Sequence, residues 1–264
     1  MKFGICYRPY LHKKFLEKIV EEISFIEIMP EVTNVSEMSE IKYFCQQNNI
    51  DMGLHCLKSS LFSPEGPQKE MLEKYFYLSE YLNSKYFSDH IAISHVNDVY
   101  LTSVHPIKYT EKNIKVFQNN LSEIQKYFPK NFYVENITQN KLLEGSEIAE
   151  SQFINKLNQD LLFDLTNIYI TAKRNNIAFD KYIENYPFDK VKVMHISGLS
   201  VDDDGIYHDI HSENFDEEIR QVLQSVKNKL INLEIVLIER DFNISSADDI
   251  LKDLKMLKEE LEIK

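Results

Sequence analysis

Six side chains that can bind a metal stand at the ends of six successive apolar, β-rich segments. His55 closes segment 51–56, and His90 follows Ser88-Asp89 in segment 86–93. Glu135 ends segment 131–136 beside Asn136, and Asp164 ends segment 160–164. His195 lies near the end of 190–196, and Glu239 ends 233–239. A further pair, Asp209 and His211, sits in the stretch after the seventh segment. Imidazole and carboxylate donors together suit Zn, Fe, Mn or Co. Glu135, central in the order, could bridge two ions, and Asp209 with His211 could clamp another. The set is large enough for two ions and a third.

Each residue taken alone has a plainer reading, as a hydrogen-bonded histidine or a solvated edge carboxylate. Six such residues at six successive strand ends are harder to explain that way. A charged group on an apolar strand face is costly unless it is paired, hydrogen-bonded or bound to metal. Val191, Val193 and His195 share one face, as do Leu233, Ile235, Leu237 and Glu239. Asp241 lies two residues past Glu239. It is read either as a general base in the same mouth or as the cap of the last helix. Asp89 and Asn136 are expected to orient their neighbours. Asn167 is a weaker candidate, since it could cap a helix. Lys58, Ser59 and Ser60 read as an ordinary loop, and His12, His95 and His105 as surface or loop histidines. Cys6, Cys45 and Cys56 show no ligand spacing and read as reduced packing residues.

The elements that must position these residues alternate along the chain. Segments at 2–7 and 24–29 complete a set of eight strand candidates. Between them lie stretches of helical spacing, such as 67–83, 110–128, 213–229 and 246–262. Strands alternating with helices imply a parallel sheet, and eight such units close into a (β/α)8 TIM barrel, with a doubly wound open sheet as the alternative. A barrel would bring all the strand ends to one mouth. No linker-like stretch or duplicated motif interrupts residues 1–264, so one catalytic domain is expected.

The net charge of −12 disfavours a nucleic-acid partner, which needs a basic surface. A small molecule, a peptide or another protein fits better. No run of about 18 apolar residues suggests a membrane span, and the N-terminal segment lacks a signal-peptide pattern. A cytoplasmic location is expected.

The ordered donor set resembles that of the xylose-isomerase-like barrels, including the AP-endonuclease branch. There the pattern is His, His, Glu, Asp-x-x-His, His, Asp-x-His, Glu. Here it reads His55, His90, Glu135, Asp164-Leu165-Thr166-Asn167, His195, Asp209-Ile210-His211, Glu239. The departure is Asn167. The flanking words resemble a narrower group: Gly4-Ile5-Cys6-Tyr7-Arg8-Pro9, Ser88-Asp89-His90, Asp164-Leu165-Thr166-Asn167-Ile168-Tyr169, His195-Ile196-Ser197-Gly198 and Leu237-Ile238-Glu239-Arg240-Asp241. They are similar to the multinuclear non-heme iron-dependent oxidative enzymes of ribosomally made peptide biosynthesis, with the methanobactin-type oxidase B subunit among the nearest. In that group an Asn at the position of Asn167 is usual.

The resemblance implies two or three ions of mixed Fe(II)/Fe(III), O2 as co-substrate, and oxidation of cysteine in a precursor peptide, to oxazolone and thioamide in methanobactin-type members. It implies a heterodimer with a small partner protein that binds the leader peptide. It carries His55, His90, Glu135, Asp164, Asn167, His195, Asp209, His211 and Glu239 over as metal-site residues, with Asp241 moving protons. The rival class is a non-redox Zn/Mn hydrolase or sugar isomerase on the same barrel; a metal-binding scaffold is a third.

Overall fold

The period-two apolar segments become strands, and their alternation decides which residues meet inside. The computed structural model describes residues 1–97, 99–129, 131–244 and 246–262. Its strands, in chain order, are β1 (Lys2–Cys6), β2 (Phe25–Ile28), β3 (Asp51–Cys56), β4 (Phe87–His90), β5 (Ile93–Val96), β6 (Val99–His105), β7 (Phe132–Glu135), β8 (Leu161–Asp164), β9 (Val191–Ile196), β10 (Gly198–Val201), β11 (Tyr207–Glu213) and β12 (Ile235–Ile238). Eight of them close into a barrel in the order β1, β2, β3, β4, β7, β8, β9, β12 and back to β1. The strand pairs are parallel all the way round. The fold is thus the expected (β/α)8 barrel, and each of the eight expected segments supplies one barrel strand.

Two cores follow from the alternation. Residues pointing outward from the strands, among them Phe3, Ile26, Leu54, Val134, Phe163, Met194 and Val236, pack with the helices in one large cluster. Residues pointing inward form a separate cluster of Cys6, Phe25, Tyr86, Tyr133, Leu162, Val193, Ile235 and Leu237. One step further along the same inward faces come His55, Glu135, Asp164, His195 and Glu239, with His90 two steps beyond Tyr86 and Glu27 level with Cys6 and Gly53. The apolar inner layer therefore forms the floor on which the polar residues stand.

Two additions were not anticipated. Segment 86–93 is not one strand: β4 stops at His90, and the apolar Ile91 and Ala92 lead into a β5–β6 hairpin. The stretch after β9 is an antiparallel β10–β11 hairpin rather than an irregular loop. Because Glu213 is still paired in β11, the next helix starts only at Glu217, where Asp216 caps it by accepting from the Ile219 N–H at 2.9 Å. No helix among the described residues is long and apolar enough to cross a membrane.

Candidate metal centre

Glu135, the last residue of β7, lies at the middle of the cluster. Its Oε2 is 2.9 Å from His90 Nε2 and 3.2 Å from His55 Nε2. Its Oε1 is 3.1 Å from His195 Nδ1. One carboxylate thus faces three imidazoles, two on one oxygen and one on the other. Strand pairing sets this up: β7 is hydrogen-bonded to β4, and His90 lies directly across from Glu135. His55 Nδ1 is 2.9 Å from Ser88 Oγ, which leaves Nε2 turned to Glu135. Asp89 accepts from the His90 and Ser59 backbone N–H groups, so it ties the loop after β3 to the end of β4.

On the other side stand Asp164, His195 and Glu239. His195 Nδ1 is 3.2 Å from Glu239 Oε2. Asp164 is clipped in place by Asn136, whose Nδ2 donates to the Asp164 carbonyl at 2.8 Å while its Oδ1 accepts from the Asp164 N–H at 3.0 Å. Asp164 also caps the following helix (Leu165–Arg174), accepting from the Asn167 N–H at 2.7 Å. Only one carboxylate oxygen is used this way.

Nearer the mouth, Arg8 joins the last barrel strand to the rim. Its Nη2 donates to Glu239 Oε1 at 2.7 Å and its Nε to Asp241 Oδ1 at 2.6 Å. The second oxygen of Asp241 lies 3.7 Å from His211 Nδ1. Asp241 therefore faces the mouth and does not cap the last helix. The β11 pair stays together at the rim: His211 joins Glu239 and Asp241 as a donor group, and Asp209 Oδ1 lies 3.0 Å from His211 Nε2. Asn167 Oδ1 accepts from Thr138 Oγ1 at 2.8 Å. Asn167, Asp209, His211 and Asp241 all line one cleft of ≈ 910 Å³ that opens over His90, Glu135 and Glu239.

Burial in a low dielectric makes the charges here interdependent. Burial alone would raise Glu135, but His90, His55 and His195 outweigh it and hold its carboxyl below the usual range. Burial likewise opposes ionised Glu239, yet His211, His195 and Arg8 hold it well below its ordinary value. Asp164 goes the other way, pushed up by burial with only the histidines pulling it back. Burial lowers His55. His90 and His195 are raised despite burial, because Glu135 and Asp89 face the first and Cys6, Glu27, Glu239 and Glu135 surround the second. The metal-free cluster thus holds protons where cations would be expected, and metal binding would release them.

Three observations test whether the residues present fit metal ions. The ligand atoms of His55, His90 and Glu135 all lie within 4.8 Å of one another, as do those of Glu135, Asp164, His195 and Glu239, and Glu135 belongs to both groups. Glu135 Oε2, Asp164 Oδ2, His195 Nδ1 and His211 Nε2 are buried atoms that meet no partner in hydrogen-bonding geometry. Unpaired buried polar atoms are rare and each needs an explanation. The donors are nitrogen and oxygen, right for Fe, Mn or Zn. The residues fit.

Sequence reasoning missed three neighbours. Glu27, in β2, is 2.9 Å from His195 Nε2 through its Oε1. Cys6, read as simple packing, places Sγ 3.2 Å from the same Glu27 oxygen. Arg8 stands in the sequence only as part of the Gly4–Pro9 motif. Glu27 interrupts the apolar run Phe25-Ile26-Glu27-Ile28, and that was the available signal. Among the histidines outside the pattern, His12 caps a short helix and His105 is exposed at the cleft, but His95 is not a surface residue. It is buried in β5 with Nε2 2.9 Å from Gln68 Nε2, because the unforeseen hairpin folds it inward.

Comparison with known proteins agrees with this architecture. A UPF0276 protein of Psychromonas ingrahamii is 23% identical over 259 residues, covering 95% of this chain and 90% of its own. Among solved structures, the IOLI protein with a bound zinc atom matches at TM-score 0.66 and 14% identity, covering 99% of this chain and 98% of that one. A xylose isomerase domain containing protein from Salmonella typhimurium matches at TM-score 0.62 and 9% identity, covering 99% and 96%. At these identities the structural likeness is one of fold, the xylose-isomerase-like barrel. The family model for the RiPP precursor modification enzyme MbnB/TglH/ChrH matches residues 2–262, from the first barrel strand through the last helix. Since that match takes in every strand and every side chain of the cluster, the chain belongs to the RiPP precursor modification enzyme MbnB/TglH/ChrH family.

Proposed function

We propose that this chain is an iron- and O2-dependent oxidase that modifies cysteine in a ribosomally made precursor peptide. The observation that carries the reading is the sharing of Glu135 between two adjacent donor groups at the base of an open cleft. A purely structural site would be closed. Family membership supports a precursor peptide as substrate.

His55, His90 and Glu135 would hold one iron, and Glu135, Asp164, His195 and Glu239 a second. His211 with Asp209, and with Asn167 beside them, would hold a third nearer the mouth. When bound, the irons would supply the O2 reduction that no side chain here can perform, and would favour the thiolate form of the substrate cysteine. The chain's own residues do the rest. Met29, Leu57 and Ile137 give the cleft apolar walls that displace water around the peptide side chain. Arg8 fixes Glu239 and Asp241 relative to each other. Asp241, with one oxygen held by Arg8 and the other facing the cleft, would take and return the peptide's protons. Oxazolone and thioamide formation, as in methanobactin-type members, is the outcome we assign. The leader peptide would be gripped by a small partner protein in a heterodimer.

The test is to purify the protein with its partner after iron-replete expression, count bound metals by mass spectrometry, and follow the mass of a cysteine-containing precursor peptide with and without O2. Two or three irons per chain and an O2-dependent loss of mass from the cysteine segment are expected. Zinc or manganese retained in place of iron, with an unchanged peptide, would move the assignment to a non-redox hydrolase or isomerase.

A further inference from the structure

We propose that Glu27 is a positioning residue for the metal centre: it holds His195 from inside the barrel so that Nδ1, not Nε2, faces the ions. The proposal rests on the metal-centre reading above. Glu27 is 2% exposed, beneath the ligand layer, on a strand that contributes no other group to the site. Three donors converge on its carboxylate. His195 Nε2 lies 2.9 Å from Oε1, Cys6 Sγ lies 3.2 Å from the same oxygen, and the Tyr86 hydroxyl donates to Oε2.

This arrangement commits one nitrogen of His195 to Glu27. A carboxylate can only accept, so the nitrogen beside it must carry hydrogen. Nε2 therefore keeps its hydrogen on Glu27, and the nitrogen left to give its lone pair to an ion, on loss of any proton it holds, is Nδ1. That atom is 3.1 Å from Glu135 Oε1 and 3.2 Å from Glu239 Oε2, and it has no hydrogen-bond partner. The other two barrel histidines are set the opposite way. His55 turns Nδ1 to Ser88 and Nε2 to Glu135, and His90 turns Nδ1 to Asp89 and Nε2 to Glu135. Of the three, His195 alone is supported from the barrel floor. A carboxylate on the far nitrogen of a ligating histidine fixes the ring and raises its basicity.

The support extends one residue deeper. Tyr86 reaches Glu27 because Gly53, beside it, has no side chain; a Cβ there would lie 2.5 Å from Tyr86 Cζ. The chain of support runs Gly53, Tyr86, Glu27, His195.

The test is a cobalt(II) titration of the metal-free, full-length protein without O2, followed by absorption. Wild type should bind at least two ions. Glu27→Gln should weaken one class of ion about 10–100-fold and leave the ion on His55, His90 and Glu135 unchanged. A merely structural defect would not separate the two. Cys6→Ala should leave both affinities in place, and wild type should show no thiolate-to-cobalt charge-transfer band. Should Glu27→Gln not fold, Tyr86→Phe decides, with the same single class weakened about fivefold by the lost hydrogen bond. Wild-type binding of both ions by whichever variant folds overturns the proposal while leaving the metal centre standing. A charge-transfer band that vanishes in Cys6→Ala also overturns it, since Cys6 and Glu27 would then be ligands themselves. Absence of cobalt binding by wild type sinks the metal centre as well.

Discussion

Replacing Gly53 by alanine should damage the metal centre from below without touching a ligand. An ideal Cβ at position 53 would lie 2.5, 2.7 and 2.8 Å from Tyr86 Cζ, Cε1 and Oη. Favourable carbon contacts begin near 3.5 Å, so the ring must retreat by roughly 1 Å. It has little room to do so. Phe25 stacks on it with centroids 5.6 Å apart, and Tyr133 lies 5.3 Å away. Overpacking of this kind costs about 1–3 kcal/mol. For a chain of this size each kcal/mol moves Tm by about 2–4 °C, which puts the expected drop between about 2 and 12 °C. The same retreat draws the tyrosine hydroxyl from Glu27, so one class of cobalt ion should weaken as well. Thermal unfolding of the metal-free protein, followed by a cobalt titration below Tm, measures both. A Tm within about 1 °C of wild type together with unchanged cobalt affinity would show that the ring moves freely, and the support argument would be wrong.

Other consequences follow from the same geometry. Glu135→Gln should cost two irons per chain, because both donor groups use that carboxylate, whereas His55→Ala should cost one; equal losses by metal analysis would contradict the bridging role. Asp241→Asn should keep its iron and lose about 10²-fold or more in peptide oxidation. If instead one iron disappears with the carboxylate, Asp241 belongs with His211 and Glu239 as a ligand. In a second pocket, beside Tyr109 and Tyr182, burial pushes Glu150 up to about 7 from 4.5, with the Tyr182 and Tyr109 hydroxyls opposing. The folded protein therefore holds a proton there that the unfolded chain gives up, and stability falls as pH rises from about 4.5 through about 7. The full effect is about 3 kcal/mol. Glu150→Gln should accordingly flatten the decline in Tm between pH 5 and pH 8.5, and parallel Tm profiles for the two proteins would rule that out.

Much of the barrel was legible because its signals are local. Barrel strands of four to six residues with apolar side chains give their own position, and a polar residue at the end of most is visible without knowing what it meets. That is why His55, His90, Glu135, Asp164, His195 and Glu239 could be picked out together. The two hairpins were illegible for the complementary reason. Ile91-Ala92-Ile93 reads as more of β4, but pairing with β7 ends where the Ile91 N–H donates to the Glu135 carbonyl at 2.7 Å, and the Ala92 N–H then turns back to the His90 carbonyl at 2.8 Å. His95 was misread with it, since its burial depends on that turn.

The sequence by itself determined which residue types stand at the strand ends, and the period of two determined which face each shares. It could not determine distance across a closed barrel, because that depends on strand tilt and register summed over eight strands. Only the tertiary structure placed Glu135 within reach of three imidazoles. Only it set His211 beside Glu239 and Asp241 as well as Asp209, turned Asp241 toward the mouth, and brought Cys6, Glu27 and His195 from three different strands to one point. The apolar run around Glu27 marks it as unusual but does not say which residue it meets. Its role comes from a histidine 168 positions later, in register only because the barrel closes.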